Sequence, residues 1–153
     1  MIILKIRYKT IEHERVEDAP FIGALISAID CRFNCKNCFN QSIKQLPTII
    51  KEDEDIIQEI KSNPFNQGVI FAGLEWTLQM TELVRLAQLA KKNGLQTMLY
   101  TGLSFFSDRD ILQYFDYVKC GRYDKDLKTI NHVEYDVTLA SSNQHIYKKG
   151  IDY

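Results

Sequence analysis

The chain has 153 residues, of which 45% are apolar and 25% charged, with a net charge of −1. Those figures fit one globular domain over residues 1–153 and exclude a disordered or fibrous chain. They leave no basic field to attract nucleic acid, no apolar run reaches transmembrane length, and the early charges at Lys5 and Arg7 do not suit a signal peptide. The expectation is a cytoplasmic protein with neither nucleic acid nor membrane as a partner.

Residues 2–8 alternate, with Ile2, Leu4, Ile6 and Tyr8 set against Ile3, Lys5 and Arg7, which predicts a strand. Residues 13–18 read as a polar turn, stopped by Pro20. Residues 21–29 form a continuous apolar run, the pattern of a strand buried on both faces of a parallel sheet. It delivers the chain into Cys31. Residues 52–62 predict a helix, with Ile56, Ile57 and Ile60 inward and acids in the first turn, where the dipole favours them. Asn63-Pro64 ends it. Residues 68–73 read as a short buried strand. Residues 81–92 predict an amphipathic helix with Leu83, Val84, Leu86, Ala87 and Ala90 inward, stopped by Asn93-Gly94. A strand over 95–100 ends at Thr101-Gly102. Ser107 is placed to cap a helix reaching Phe115, and 117–120 is a further strand. The remainder is weaker, with a strand within 132–139 and a turn at 141–143.

Strand–helix alternation argues for a parallel sheet with right-handed crossovers. About four βα units are too few to close an eight-stranded barrel. The fold class expected is therefore α/β, a single-domain partial (open) β/α barrel with a mainly parallel curved sheet. Cys31–Cys38, Gly73–Glu75, Thr101–Gly102 and Gly121–Tyr123 each follow a strand, which places them on one rim.

Three of the four cysteines, Cys31, Cys35 and Cys38, are spaced C-x3-C-x2-C. Three thiolates on a short loop can hold three irons of a [4Fe–4S] cluster and leave the fourth open, whereas a ferredoxin closes all four positions. An open metal position is a catalytic arrangement. Three other readings compete. The same spacing is one face of a helix, but Asn34, Asn37 and Asn40 suit turns better. Structural zinc requires a fourth ligand from Cys120, His13, His132 or His145, none of which forms a second C-x2-C pair. A disulfide framework requires an oxidising compartment. The three histidines are scattered along the chain and receive no role, and Cys120 reads as a core residue.

The cysteine motif, followed by Phe39-Asn40, resembles the radical S-adenosylmethionine (radical SAM) superfamily, and within it the anaerobic ribonucleotide reductase activating proteins. Over residues 21–144 further blocks agree. Phe71-Ala72-Gly73-Leu74-Glu75 resembles the family's glycine-glycine-acid segment, with Leu74 replacing the second glycine and Trp76 a frequent proline. Tyr100-Thr101-Gly102, Gly121-Arg122-Tyr123 with Leu127, and Ser141-Ser142-Asn143-Gln144 resemble three more.

This resemblance implies a [4Fe–4S] cluster held by Cys31, Cys35 and Cys38, with SAM chelating the open iron. One electron from a low-potential donor such as a flavodoxin would cleave SAM to methionine and a 5′-deoxyadenosyl radical. The radical would take a hydrogen from a glycine Cα of an anaerobic ribonucleotide reductase. Asn37, Phe39, Gly73, Glu75 and Thr101 are the expected SAM contacts, with Phe39 covering adenine, Gly73 allowing close approach and Glu75 pairing with the ammonium. Phe39 serves equally as a core residue sealing the loop, and Glu75 as a solvated loop acid. Trp76 either walls the pocket or packs in the core. Arg32, Lys36, Lys44 and Lys51 form a basic stretch that either docks the acidic donor or is simply solvated. Two alternatives remain: a small-molecule radical SAM enzyme, as in deazapurine biosynthesis, and a non-catalytic zinc-binding interaction module.

Overall fold

A computed structural model describes residues 3–32 and 41–153 of the chain. Cys35, Asn37, Cys38 and Phe39 lie outside the described residues. In chain order the elements are β1 (Lys5–Tyr8), β2 (Ile11–Arg15), β3 (Gly23–Ser27), β4 (Ile49–Glu52), α1 (Asp53–Ser62), β5 (Gly68–Ala72), α2 (Met80–Lys92), β6 (Gln96–Thr101), α3 (Arg109–Leu112), β7 (Tyr117–Cys120), β8 (Lys128–Glu134), β9 (Val137–Ser141) and β10 (His145–Lys148).

The main sheet has six strands in the order β10-β7-β6-β5-β3-β2. Its four inner strands run parallel, and both edge strands run antiparallel to their neighbours. Separate two-stranded ladders join β1 to β4 and β8 to β9, both antiparallel. Four of the seven pairings among the described residues are thus antiparallel. The fold is a small mixed α/β domain, and the expectation of a mainly parallel, curved open barrel is wrong. The missing strands explain the error. β4 and β10 are four residues each, too short to give a periodic pattern. β2, Ile-Glu-His-Glu-Arg, is an exposed edge strand whose polar composition reads as a turn.

Strand alternation divides the core. Ala24 and Ile26 of β3, Val69 and Phe71 of β5, Leu99 of β6 and Val118 of β7 face α1 and α2, where Ile56, Ile57, Ile60, Leu83, Leu86 and Ala90 meet them. Leu25, Ile70, Met98 and Tyr117 point to the other face. There Val137 and Leu139 of β9 cover the sheet, so a hairpin forms the layer that a helix occupies in a doubly wound fold. Tyr135 and Asp136 turn this hairpin with φ of 47° and 63°, the left-handed pair of a type I′ turn. Among the described residues, no helix is long and apolar enough to cross a membrane.

A buried carboxylate anchors the first core. Asp53 is fully buried at the start of α1. Its Oδ2 accepts from Arg85 Nε at 2.7 Å and Leu4 N at 3.1 Å, and its Oδ1 from Glu54 N at 2.7 Å. Burial alone would raise this carboxyl, but Arg85 and the two backbone N–H groups outweigh it, so it titrates below the ordinary range. A depressed folded-state value contributes stability above the unfolded pKa of about 4, and that contribution is lost as pH falls through the folded value. Asp53→Asn is therefore expected to cost about 2–3 kcal/mol at pH 7, at the low end for a broken buried pair because Arg85 is partly exposed. Denaturant midpoints of the two chains should converge as pH drops below about 4. A gap independent of pH would mean that shape rather than charge holds this corner.

Candidate functional site at the strand ends

Four inner strands end on one side of the sheet, and each hands over to a short polar segment. After β3 come Asp30 and Cys31, after β5 Gly73 to Glu75, after β6 Gly102, and after β7 Gly121. These segments enclose a cavity of about 390 Å³ between the sheet and the β8–β9 hairpin. That is within the range of small-molecule sites. Cys31, Gly73, Glu75 and Thr101 all line it.

Cys31 is half-buried. Its N–H donates to Asp30 Oδ1 at 2.8 Å, and its carbonyl accepts from Lys44 Nζ at 2.7 Å. Lys9, itself buried, donates through Nζ to the Leu46 carbonyl at 2.6 Å. Both flanks of the cysteine loop are thereby tied down by lysines. Lys44 points at the loop's own backbone and lies 3.7 Å from Asp30, while Lys51 pairs with Glu59 at 2.8 Å. Lys44 and Lys51 are thus engaged within the chain.

Gly73 has φ of +85°, a conformation a side chain resists, and a Cβ there would lie 2.9 Å from the Ser27 Cα. The neighbouring Leu74 avoids positive φ and packs into the core, so the second glycine of the resembled segment is not needed for this turn. Trp76 is fully buried, donates Nε1–H to the Ile26 carbonyl at 3.0 Å and meets Phe71 edge-on. It is a core residue and does not wall the pocket.

Glu75 is buried, not a solvated acid. Oε1 accepts from Gly102 N at 2.7 Å. Oε2 accepts from the Thr77 and Thr101 hydroxyls at 2.7 and 3.0 Å and from Thr77 N at 3.2 Å. Its own N–H donates to the Asp30 carbonyl at 2.8 Å. One residue therefore links the ends of β3, β5 and β6. The Thr101 hydroxyl is committed to it.

Sequence reasoning missed several residues here. Lys119 faces the cavity, with its ammonium 4.9 Å from the centre of the Tyr100 ring. The Tyr100 hydroxyl donates to the Asp18 carbonyl, and burial pushes its phenol above the ordinary value. A lysine between Val118 and Cys120 on a buried strand was the legible clue. Gln144, part of the Ser141-Ser142-Asn143-Gln144 block, received no individual role there. Its amide oxygen accepts from Ala140 N and Ser141 N, and its amide nitrogen donates to the Gly121 carbonyl. Cys120 is buried, its thiol pushed up to about 11 chiefly by burial. It packs as a core residue.

The chain matches, over residues 23–147, the family described as a 4Fe-4S single cluster domain, and it belongs to that family. No curated protein matches it. The family is compatible with a radical SAM-type iron–sulfur protein. The described residues fit such a group: a half-buried thiol, Cys31, stands on the cavity rim at the end of an inner parallel strand.

Proposed function

We propose that this chain is a radical SAM activase, with Cys31, Cys35 and Cys38 holding its [4Fe–4S] cluster and an anaerobic ribonucleotide reductase as its substrate. The observation that carries this reading is the convergence of Cys31, Gly73, Glu75 and Thr101, from three separate segments, on one cavity. When bound there, such a cluster would supply the electron, drawn from a low-potential donor such as a flavodoxin, for reductive cleavage of SAM.

The chain's own residues bind and orient SAM. Gly73, whose positive φ and close approach to Ser27 shape the β5 turn, presents backbone to the methionine end. Glu75 brings a buried carboxylate that accepts from the neutral donors of Thr77, Thr101 and Gly102, leaving its charge for the SAM ammonium. Asn37 and Phe39 supply the backbone and ring against the rest of SAM. Toward solvent the cavity is lined by Glu12, Glu17, Asp18 and Arg122, a charged mouth suited to a loop of another protein. The chemistry requires a reducing compartment, the cytoplasm.

The test is SAM cleavage. The protein is purified without oxygen, supplied with iron and sulfide, and assayed for 5′-deoxyadenosine with SAM and dithionite. Product with about four irons per chain is the expected result. Glycyl-radical signal on added reductase would then establish the substrate, and its absence would favour a small-molecule enzyme. A colourless protein holding one zinc would sink the radical reading.

A further inference from the structure

We propose that His132, Glu134 and His145 form a zinc(II) site that clamps the β8–β9 hairpin to β10. His132 and Glu134 are two apart on β8, so their side chains share one face of the strand. His145 opens β10, which belongs to the main sheet, whereas β8 belongs to the hairpin. One ligand atom from each residue lies within 4.8 Å of the other two.

Glu134 Oε2 lies 3.2 Å from His132 Nε2 and 2.9 Å from His145 Nδ1. Ligands about 2.0–2.2 Å from a tetrahedral zinc sit roughly 3.3 Å from one another. The two carboxylate–imidazole distances are thus within a few tenths of an ångström of that spacing, and the two ring nitrogens, within 4.8 Å of each other, close on the metal by side-chain rotation. The carboxylate is already aimed: Oε1 accepts from Ile146 N at 2.8 Å, which leaves Oε2 to the two imidazoles. Such a second partner is what fixes a ligating group. The imidazole rings stand edge to face, 84° apart with centres at 5.5 Å, so they converge without stacking.

His132 Nε2 also lies 2.7 Å from the Gln144 carbonyl, so without metal that nitrogen carries the ring proton. Zinc takes the proton's place, the proton moves to Nδ1, and a water in the open fourth position can donate to the same carbonyl. Two nitrogens and one oxygen, with no sulfur, suit zinc. The site has a consequence for the cavity. Thr138, Leu139 and Ala140 of the hairpin, together with Gln144, form its wall. A metal joining β8 to β10 holds that wall against the sheet.

This inference needs neither cluster nor SAM. The full chain, with and without its iron–sulfur centre assembled, is titrated anaerobically with Co(II) as a coloured stand-in and then with zinc. With the cluster assembled, one Co(II) per chain with visible d–d bands, no thiolate-to-cobalt band and displacement by zinc is expected; without it, the same thiolate-free bands are expected beside any cobalt taken up by the free cysteines. His132→Ala and His145→Ala should weaken binding roughly 100-fold or more, at least the loss seen when an outer-shell partner is removed. Glu134→Gln, which keeps an acceptor for Ile146 N, guards against a misfolded variant and should weaken it too. Zinc should raise the melting temperature of the parent alone. Unchanged binding in the three variants, a thiolate band as the only signal, or no uptake of either metal overturns the proposal. Failed SAM cleavage leaves it standing.

Discussion

Cys31→Ala is expected to abolish both cluster iron and 5′-deoxyadenosine formation, with melting temperature changed by no more than about 2 °C. The fold should tolerate the change because the position is held through its backbone, by Asp30 Oδ1 and Lys44 Nζ, and the thiol is only half-buried. The function should not tolerate it, since three thiolates are the fewest that hold three irons. Cys120→Ala is the matched control. That side chain is 2% exposed and its thiol is raised to about 11, so it stays protonated and packed. Its loss should cost about 1 kcal/mol through the small cavity it leaves while iron content is retained. Iron assays and melting curves on the two variants decide the matter. Metal loss in Cys120→Ala would make Cys120 a ligand and revive the structural-zinc reading.

The rim of strand ends was legible because each inner strand is a buried apolar run cut off by glycine or a polar residue. Ile26-Ser27, Phe71-Ala72-Gly73 and Tyr100-Thr101-Gly102 all show that break, and the structure gathers them at one cavity. The layer opposite the helices was not legible. Val137 and Leu139 alternate with exposed or half-exposed neighbours over only five residues, and their turn is made by Tyr135-Asp136 instead of an asparagine–glycine pair. The strand expected within 132–139 is in fact two, folded back on one another. Ser107 was likewise displaced as a cap: Asp108 accepts from Asp110 N at the start of α3, and the helix is one turn long.

The histidines show the same limit. His132 and His145 are thirteen residues apart, separated by a hairpin turn and a tight bend. Only the pairing of β8 with β9 and of β10 with β7 brings them together. The pattern His-x-Glu within β8 was the one local hint that two polar side chains share a face. Long-range antiparallel contacts of this kind leave no periodic trace in a sequence.

Glu75→Gln should separate the two roles that this residue combines. In the structural role, its carboxylate accepts from four donors that come from the turn itself and from the end of β6. An amide offers one oxygen in place of two. If that oxygen faces Gly102 N, the NH2 opposes Thr77 N–H while the two threonine hydroxyls can rotate to accept. If it faces the threonines, Gly102 N–H loses its partner. Either way one part-buried N–H is unsatisfied, at a cost of about 1–3 kcal/mol, read as a melting temperature lower by roughly 2–12 °C for a domain of this size. In the binding role, an amide lacks the charge that meets an ammonium. Charge-assisted hydrogen bonds contribute about 1.5–3 kcal/mol, so SAM affinity should fall roughly 10- to 100-fold. Cluster iron should be unchanged, because the substitution leaves the Glu75 N–H to Asp30 carbonyl bond that steadies the approach to Cys31. Calorimetric SAM titration beside a melting curve reads both effects on one preparation. A lowered melting temperature with unchanged SAM affinity would confine Glu75 to bracing the strand ends, and the ammonium would then need another partner on the rim.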